Sequence, residues 1–207
     1  MNAPHRLPRL FPLRLAAGLV AAALLAGCNL LPEAQPDNTR HYVLESGVSA
    51  PATGPTGTVR LGLRPVDVPV YLRQKSIVIR TGDNELAYTP DARWAEPIEA
   101  GITRLLREHL AARVRVLAYP FPAQLPRDYD LTVRILNAEG AKDGVQFVAV
   151  FELLRVGDRP EIVVRREFRT RGRPWNGDHG QLARVLSDAV AELADEIVAA
   201  VPQPPES

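Results

Sequence analysis

Hydrophobic residues recur along this chain at two different spacings, which separate helical from extended segments. Over residues 96–112 they return every three or four positions with charged residues on the opposite side, so we predict an amphipathic helix there. A second helix is predicted over residues 179–201, with Asp178 as its N-cap. The apolar faces consist of Ile98, Ile102, Leu105, Leu106 and Leu110 in the first helix, and of Leu182, Leu186, Ala189, Val190, Leu193 and Ile197 in the second.

Outside these helices, apolar and polar residues alternate with a period of two, which predicts β-strands. Short turns join the last three strands and indicate an antiparallel meander. The order of elements favours an α+β fold of two layers, a mostly antiparallel sheet with two amphipathic helices on one face. The strands are predicted at residues 41–45, 59–63, 66–71, 76–80, 86–88, 114–118, 129–135, 145–155 and 161–169.

The N-terminus has the pattern of a bacterial lipoprotein signal. Three arginines precede an apolar segment over residues 15–26, which is too short to span a bilayer stably. Small residues then lead to the single cysteine, so we expect residues 1–27 to be cleaved between Gly27 and Cys28, and Cys28 to carry lipid. The alternative is a fortuitous cysteine after an ordinary secretory signal. Asn29 follows, rather than the aspartate that retains enterobacterial lipoproteins in the inner membrane, which predicts a location at the periplasmic face of the outer membrane.

The expected mature chain comprises a lipidated tether, one domain and a short tail. Residues 28–40 lack periodicity and are predicted to be a flexible tether. The domain is predicted over residues 41–201, and within it residues 46–58 are rich in Gly, Pro, Ala, Ser and Thr, which favours a flexible loop. Residues 202–207 form the C-terminal tail. With 46% hydrophobic residues the chain can supply a core, whereas its single cysteine excludes an intrachain disulfide.

The net charge and the sequence motifs indicate which classes of function the chain supports. Without the three leader arginines, 22 basic residues stand against 24 acidic ones, a net charge of −2 that gives no support for nucleic-acid binding. The sequence has no Gly-x-Ser-x-Gly elbow, Gly-rich phosphate loop or His-Glu-x-x-His helix, and we expect neither catalysis nor a metal or other cofactor. A lipid-anchored periplasmic hydrolase is one alternative, because Asp178 and His179 form an adjacent acid/base pair.

Five arginines gather between the last strand and the last helix. Either they belong to the solvated face of a strand and loop, or they form a patch for anionic headgroups or an acidic partner, with Trp175 as an interfacial aromatic residue. The five are Arg165, Arg166, Arg169, Arg171 and Arg173.

Four segments between residues 66 and 98 carry a resemblance to a known family. They read Val66-Asp-Val-Pro-Val-Tyr-Leu72, Ile77-Val-Ile-Arg80, Leu86-Ala-Tyr88 and Arg93-Trp-Ala-Glu-Pro-Ile98. With them the chain resembles the ABC-type transport auxiliary lipoproteins, which include the lipoprotein of the paraquat-inducible intermembrane transport operon. The resemblance covers essentially the whole mature chain.

The resemblance implies a non-enzymatic periplasmic component at the outer-membrane end of a lipid bridge. It also implies a partner, a mammalian-cell-entry-domain protein that carries lipids between the inner and outer membranes. A general envelope assembly lipoprotein without a transport role is a further alternative. Self-association into a homo-oligomer is expected on general grounds only.

Within the resembling segments we predict a partner-binding strip at residues 66–80. Pro65 and Pro69 remove ladder donors, so this part of the chain is expected at a sheet edge, a bulge or a crossing loop. A sheet edge here would either accept a further strand or be protected by its prolines. The predicted partner-binding residues are Tyr71, Leu72, Arg73, Ile77 and Ile79.

The start of the first helix is interpreted as structural. Trp94 is expected to pack there, and the Glu96 carboxylate lies near the helix N-terminus, where the helix dipole favours negative charge. Pro97 suits the first helical position, since its missing amide hydrogen would have no partner there.

Overall fold

The computed structural model describes residues 36–47, 57–170 and 173–202, and the fold belongs to the unit Thr39–Ser207. Several predictions lie outside the described residues: the signal peptide with Gly27, the lipidated Cys28, and Arg171. Most of the predicted tether, flexible loop and C-terminal tail lie outside them as well. In the part that is described, no helix is both long and apolar enough to cross a membrane.

The described residues form eight strands, two α-helices and one 3-10 helix. The strands are β1 (Arg40–Tyr42), β2 (Arg60–Leu63), β3 (Ser76–Gly82), β4 (Glu85–Trp94), β5 (Arg115–Ala118), β6 (Tyr129–Ala141), β7 (Gly144–Arg155) and β8 (Glu161–Arg169). The helices are α1 (Ile98–Ala111) and α2 (His179–Ala200), and the 3-10 helix is Val70–Arg73.

One long strand, β6, organises the sheet. Along one side it pairs with β7 over its whole length, and β8 follows β7, so the predicted antiparallel meander is confirmed. Along the other side, β2 pairs with the first part of β6 and β3 with its last residues, both in parallel. Beyond these, β5 lies next to β2, while β4 and then β1 lie next to β3.

The predicted α+β class is confirmed, with a sheet that is mixed in direction. The longest ladders are antiparallel. In contrast, β2 and β3 pair in parallel with β6, β5 pairs in parallel with β2, and β1 pairs in parallel with β4. These parallel pairings join segments distant in sequence. Local periodicity does not report such pairings, so the sequence predicts a mostly antiparallel sheet, whereas four pairings of the described strands are parallel.

The core lies between the sheet and the two helices. Leu131, Val133 and Ile135 of β6 are completely buried, since alternate residues of a strand point to the same face. The apolar faces predicted for α1 and α2 are buried against them and against each other. Each aliphatic side chain buried in this way contributes about 1.5–3 kcal/mol to stability.

The segment at residues 66–71 is a loop that connects β2 to β3, which is one of the three expected placements, whereas the predicted strand and open sheet edge are wrong. This segment contributes a single bridge, Asp67 to Arg134, and then forms the 3-10 helix. Pro69 starts that helix, and its carbonyl accepts a hydrogen bond from the amide of Leu72 at 3.0 Å. The following strand β3 is not an edge either, because β4 and β6 flank it.

Both helices start within two residues of the predicted positions. The Asp178 carboxylate accepts a hydrogen bond from the amide of Gln181 at 2.6 Å, so the predicted N-cap of α2 is confirmed. Helix α1 begins at Ile98, and Pro97 is its N-cap rather than its first residue. The helix can start there because the first amides of a helix need no helical partner.

Candidate docking surface

The residues predicted to bind a partner divide into a buried and a surface group. Leu72 and Ile77 are 2% and 1% exposed and belong to the core, and Ile79 packs against the core from a partly buried position. Tyr71 and Arg73 remain at the surface, in the 3-10 helix. The strip therefore offers its 3-10 helix, and not a strand, to the solvent.

An exposed apolar surface surrounds this 3-10 helix. Val70 is 72% exposed, and Tyr88 of β4 and Leu136 of β6 are 49% and 36% exposed. The Tyr88 hydroxyl lies 3.5 Å from the carbonyl of Tyr71, and the Tyr71 hydroxyl lies 3.2 Å from that of Leu136. We call Val70, Tyr71, Tyr88 and Leu136 the turn patch. Large apolar side chains exposed side by side are typical of interaction sites.

The turn patch is hydrogen-bonded to a completely buried carboxylate. Glu139 has 0% exposure, and Oε1 accepts hydrogen bonds from Arg80 at 2.6 and 3.1 Å and from the Asn137 side chain at 3.0 Å. Oε2 accepts from the Ala138 amide at 2.9 Å and lies 3.0 Å from the Tyr71 hydroxyl. A buried charge is tolerated only with such pairing. The network ties the 3-10 helix and β3 to β6.

The electrostatics of this network keep Tyr71 neutral. Burial, followed by the negative charge of Glu139, raises the pKa of the Tyr71 phenol above its ordinary value. The hydrogen bonds to Glu139 raise the pKa of Arg80, which stays a cation in any case. The phenol therefore remains a hydrogen-bond donor even in alkaline solution, where an exposed tyrosine of ordinary pKa, about 10, loses its proton.

A polar rim borders the turn patch. Arg73 Nη2 lies 2.9 Å from Oδ1 of Asp67, and Arg134 Nε lies 3.8 Å from Oδ2 of the same carboxylate. All three side chains are more than half exposed, so these pairs contribute at most about 1 kcal/mol each to stability. An apolar centre with a charged, solvated rim is the arrangement of a protein–protein interface.

Comparison with known proteins identifies the family. The sequence profile described as "ABC-type transport auxiliary lipoprotein component" matches residues 42–198. The chain belongs to this family. The predicted resemblance is thereby confirmed, and the matched region contains the whole turn patch. Membership in a family of transport lipoproteins indicates an envelope protein that assists transport.

Two solved structures share the fold of this auxiliary lipoprotein. A crystal structure titled only as an uncharacterized protein has a TM-score of 0.64 and 20% identity, and the match covers 79% of this chain and 99% of that one. The crystal structure of protein XCC0632 from Xanthomonas campestris has a TM-score of 0.64 and 19% identity, with 77% and 93% covered. Among curated proteins there is no significant match.

The four arginines of the predicted basic patch that the structure describes each have a carboxylate partner. Arg165 lies 2.7 Å from Glu152, Arg169 2.5 Å from Glu167 and Arg166 2.9 Å from Glu196 of α2. Arg173 pairs with Asp188, at 2.9 Å, and with Glu192. The described members are therefore spread over different ion pairs. Binding to an anionic surface remains a prediction.

Trp175, predicted as an interfacial aromatic residue, packs against β6. Its indole covers Gly140 so closely that a Cβ atom there would lie 2.6 Å from the ring. The indole Nε1 donates a hydrogen bond to the carbonyl of Asp178 at 2.8 Å. The ring thus packs on β6 while its N–H group bonds to the N-cap of α2, and Trp175 connects the two elements.

The residues at the start of α1 contact the core and the segment after β1. Trp94 is 6% exposed and belongs to the core. Glu96 accepts a hydrogen bond at 2.5 Å from Arg104, which also donates to the carbonyl of Leu44 at 2.8 Å. Arg104 thus joins the helix to the chain that follows β1.

The Asp178 and His179 side chains have different contacts in the described part of the chain. The Asp178 carboxylate is the N-cap of α2, and the His179 ring lies beside Tyr42 with 5.9 Å between the centroids. Elsewhere among the described residues, no group of three or more His, Cys, Asp or Glu side chains could hold a metal ion.

Proposed function

We propose that this auxiliary lipoprotein is a non-catalytic docking subunit of a mammalian-cell-entry-type lipid transport system. In this proposal, the lipid on Cys28 holds the chain at the periplasmic face of the outer membrane, and the tether at residues 28–40 gives it reach. The folded domain binds the mammalian-cell-entry-domain protein that spans from the inner membrane. Family membership supports the transport role, and the leader sequence supports the anchor.

The observation that carries the proposal is the exposed turn patch, whose tyrosines are hydrogen-bonded to the fold. A surface tyrosine or valine on a mobile loop loses conformational entropy when a partner binds, which reduces affinity. Here the Tyr71 hydroxyl lies 3.0 Å from the buried Glu139 carboxylate and the Tyr88 hydroxyl 3.5 Å from the Tyr71 carbonyl, so both tyrosines have contacts that restrict them before a partner binds. Tyrosines at the centre of a patch with a charged rim are typical of the residues that dominate interface energies.

The docking role is tested by co-purification with the mammalian-cell-entry-domain protein. Val70→Asp places a charge at the centre of the turn patch, so we expect loss of association at unchanged thermal stability, because Val70 is 72% exposed. Ile162→Asp is the matched control, since Ile162 is an exposed apolar residue (47%) on β8, away from the 3-10 helix. Full association of Val70→Asp would refute the turn patch as the docking site.

The anchor is tested separately. Mass spectrometry of the N-terminal peptide should find acyl chains on Cys28, and Cys28→Ala should leave the membrane fraction. Asn29→Asp should move the protein to the inner-membrane fraction if the sorting rule applies to its host. An unacylated native chain would contradict the proposed anchor without affecting the argument for the turn patch.

A further inference from the structure

Three of the described strands lie at edges of the sheet: β1, which has only three residues, β8 and β5. On β8, charged side chains follow one another at Arg165, Arg166 and Glu167, and such charges protect an edge from pairing with further strands. The edge strand β5 reads Arg-Val-Leu-Ala and pairs with β2 on one side only. Beyond Arg115, it carries no charge that would prevent pairing.

The free side of β5 has unused backbone groups. The amide of Arg115 donates to the carbonyl of Val59 at 3.0 Å, so Arg115 and, two residues later, Leu117 direct their backbone groups towards β2. The amides and carbonyls of Val116 and Ala118 consequently point in the opposite direction, towards the open side of β5. Within the described residues, none of these four groups has a hydrogen-bond partner.

A groove of about 760 Å³ runs along this free edge, and it has apolar walls on both sides of the sheet. Leu117 shares its face with Gly62 and Asp130, whereas Val116 shares its face with the buried Leu61. The apolar lining comprises Ala111, Val114, Val116, Leu117, Leu125 and Pro126.

The segment that carries Leu125 and Pro126 is attached to the sheet on both sides of these residues, through Phe121 and Arg127. These residues lie in the connection from β5 to β6, where the Phe121 ring packs 3.0 Å from the position of a Cβ atom on Gly62. The Arg127 guanidinium stacks on the same ring, 4.4 Å from its centroid, and pairs with the buried Asp130. The groove is thus a formed feature of the fold.

The rim of the groove is basic. Arg115 borders it and is exposed, and Arg107 is exposed on α1 one helical turn before the lining residue Ala111. Neither arginine has a carboxylate partner among the described residues, whereas the neighbouring Arg60 is paired with Asp128 at 2.6 Å. This unpaired positive charge favours an acidic ligand.

We propose that the free edge of β5 binds an extended segment of a partner protein, which adds a strand to the sheet. The segment would be apolar on both faces, because the groove has an apolar wall on each side, and acidic at its flanks, because the rim is basic. Main-chain hydrogen bonds to Val116 and Ala118 would provide affinity, and the walls would select the side chains. This site lies at the opposite end of the strand order from β4 and is independent of the turn patch.

The test uses the full-length protein in phosphatidylcholine nanodiscs and a fluorescent synthetic peptide. The peptide has five alternating valine and isoleucine residues with two glutamates at each end, and fluorescence anisotropy gives its Kd. Methylating alternate backbone nitrogens of the peptide removes its strand hydrogen bonds, so one of the two methylation registers should weaken binding by about tenfold or more. Hydrogen exchange at the amides of Val116 and Ala118 should slow when the unmethylated peptide binds.

Charge reversal provides the matched variants. Arg115→Glu should weaken binding of the glutamate-flanked peptide by about threefold to tenfold and strengthen binding of a lysine-flanked version. Arg159→Glu, in the exposed turn between β7 and β8, should change neither. Val116→Pro should abolish binding yet retain the β2–β5 ladder, because the amide that it removes points outward.

The proposal is overturned if the glutamate-flanked peptide does not bind, if both methylated registers bind as well as the parent peptide, or if exchange slows at another edge. Val70→Asp should leave peptide binding unchanged. A failure of the β5 site and a failure of the turn patch are therefore distinguishable.

Discussion

Arg80 donates two hydrogen bonds to a single oxygen of Glu139, at 2.6 and 3.1 Å, across the junction of β3 and β6. The Glu139 side chain is completely buried, while that of Arg80 is 22% exposed. Solvent therefore reaches the pair only from the arginine side. This relationship makes the surface around the 3-10 helix dependent on an ion pair inside the sheet.

Replacing Arg80 should be strongly destabilising. Arg80→Met leaves the Glu139 charge buried without its cation, and we expect the free energy of unfolding to fall by about 3 kcal/mol, at the lower end for a broken buried pair because other donors to the carboxylate remain. Urea unfolding followed by circular dichroism measures this change. Adding Glu139→Gln removes the buried charge and should recover part of the loss.

The control for this prediction is an exposed ion pair on the same sheet. Arg165 is 66% exposed and pairs with Glu152, so Arg165→Met should change the free energy of unfolding by less than about 1 kcal/mol. Equal effects of Arg80→Met and Arg165→Met would show that the buried network does not support the fold as described.

The helices and the meander could be predicted from the sequence because nearby residues determine them. The predicted bounds of α1, α2 and β8 agree with the structure to within about two residues. Strand β6 continues to Ala141, past its predicted end at residue 135. A register shift between Ile135 and Asn137 changes which residues face the core, and this breaks the period-two alternation.

The candidate site could be predicted only in part. Tyr71 and Arg73 are at the surface as expected, but Leu72 and Ile77 are core residues, because a short 3-10 helix turns side chains in directions that strand alternation does not give. Tyr88, Leu136 and Glu139 were missed. Glu139 is the one charged residue within Asn137-Ala-Glu-Gly-Ala141, which is a local signal for a buried charge. Its partner Arg80, distant in sequence, becomes apparent only with the fold.

Acid should weaken the fold partly through Asp128. Hydrogen bonds from Arg60 outweigh burial and lower the pKa of the Asp128 carboxyl below its ordinary value. A carboxyl group with a lowered pKa stabilises the folded state above its unfolded pKa of about 3.9, and this contribution is lost as the pH falls below that value. Asp128→Asn should therefore lose less stability than the wild-type protein between pH 6 and pH 3.

Urea unfolding at several pH values tests this expectation. Asp158→Asn, in the exposed turn after β7, is the control, because Asp158 has no ion-pair partner among the described residues. It should follow the wild-type curve. If Asp128→Asn also follows that curve, the pair with Arg60 does not contribute to acid sensitivity.

The close packing of Trp175 on Gly140 predicts a steric effect. A Cβ atom at position 140 would lie 2.6 Å from the indole, so Gly140→Ala should destabilise the fold by about 1–3 kcal/mol, although alanine suits a strand better than glycine. In the background of Trp175→Ala the same substitution should be neutral or stabilising. Gly157→Ala, with no atom within 4 Å of its added Cβ, is the control and should change stability little. A loss that persists without the indole would contradict this explanation.

The final prediction separates a helix cap from a catalytic pair at the start of α2. Asp178→Ala removes the acceptor for the Gln181 amide and should lower the free energy of unfolding by about 0.5–2 kcal/mol, as for other N-caps. Asp178→Ser retains an N-cap acceptor and should restore most of this loss, and neither His179→Ala nor Asp178→Ser should alter lipid transport. If both substitutions abolished transport in stable, membrane-localised protein, the pair would have a chemical role and the hydrolase alternative would replace the docking function. Retained transport with a lower melting temperature for Asp178→Ala alone is the result expected of a cap, because the carboxylate then serves the helix and not a reaction.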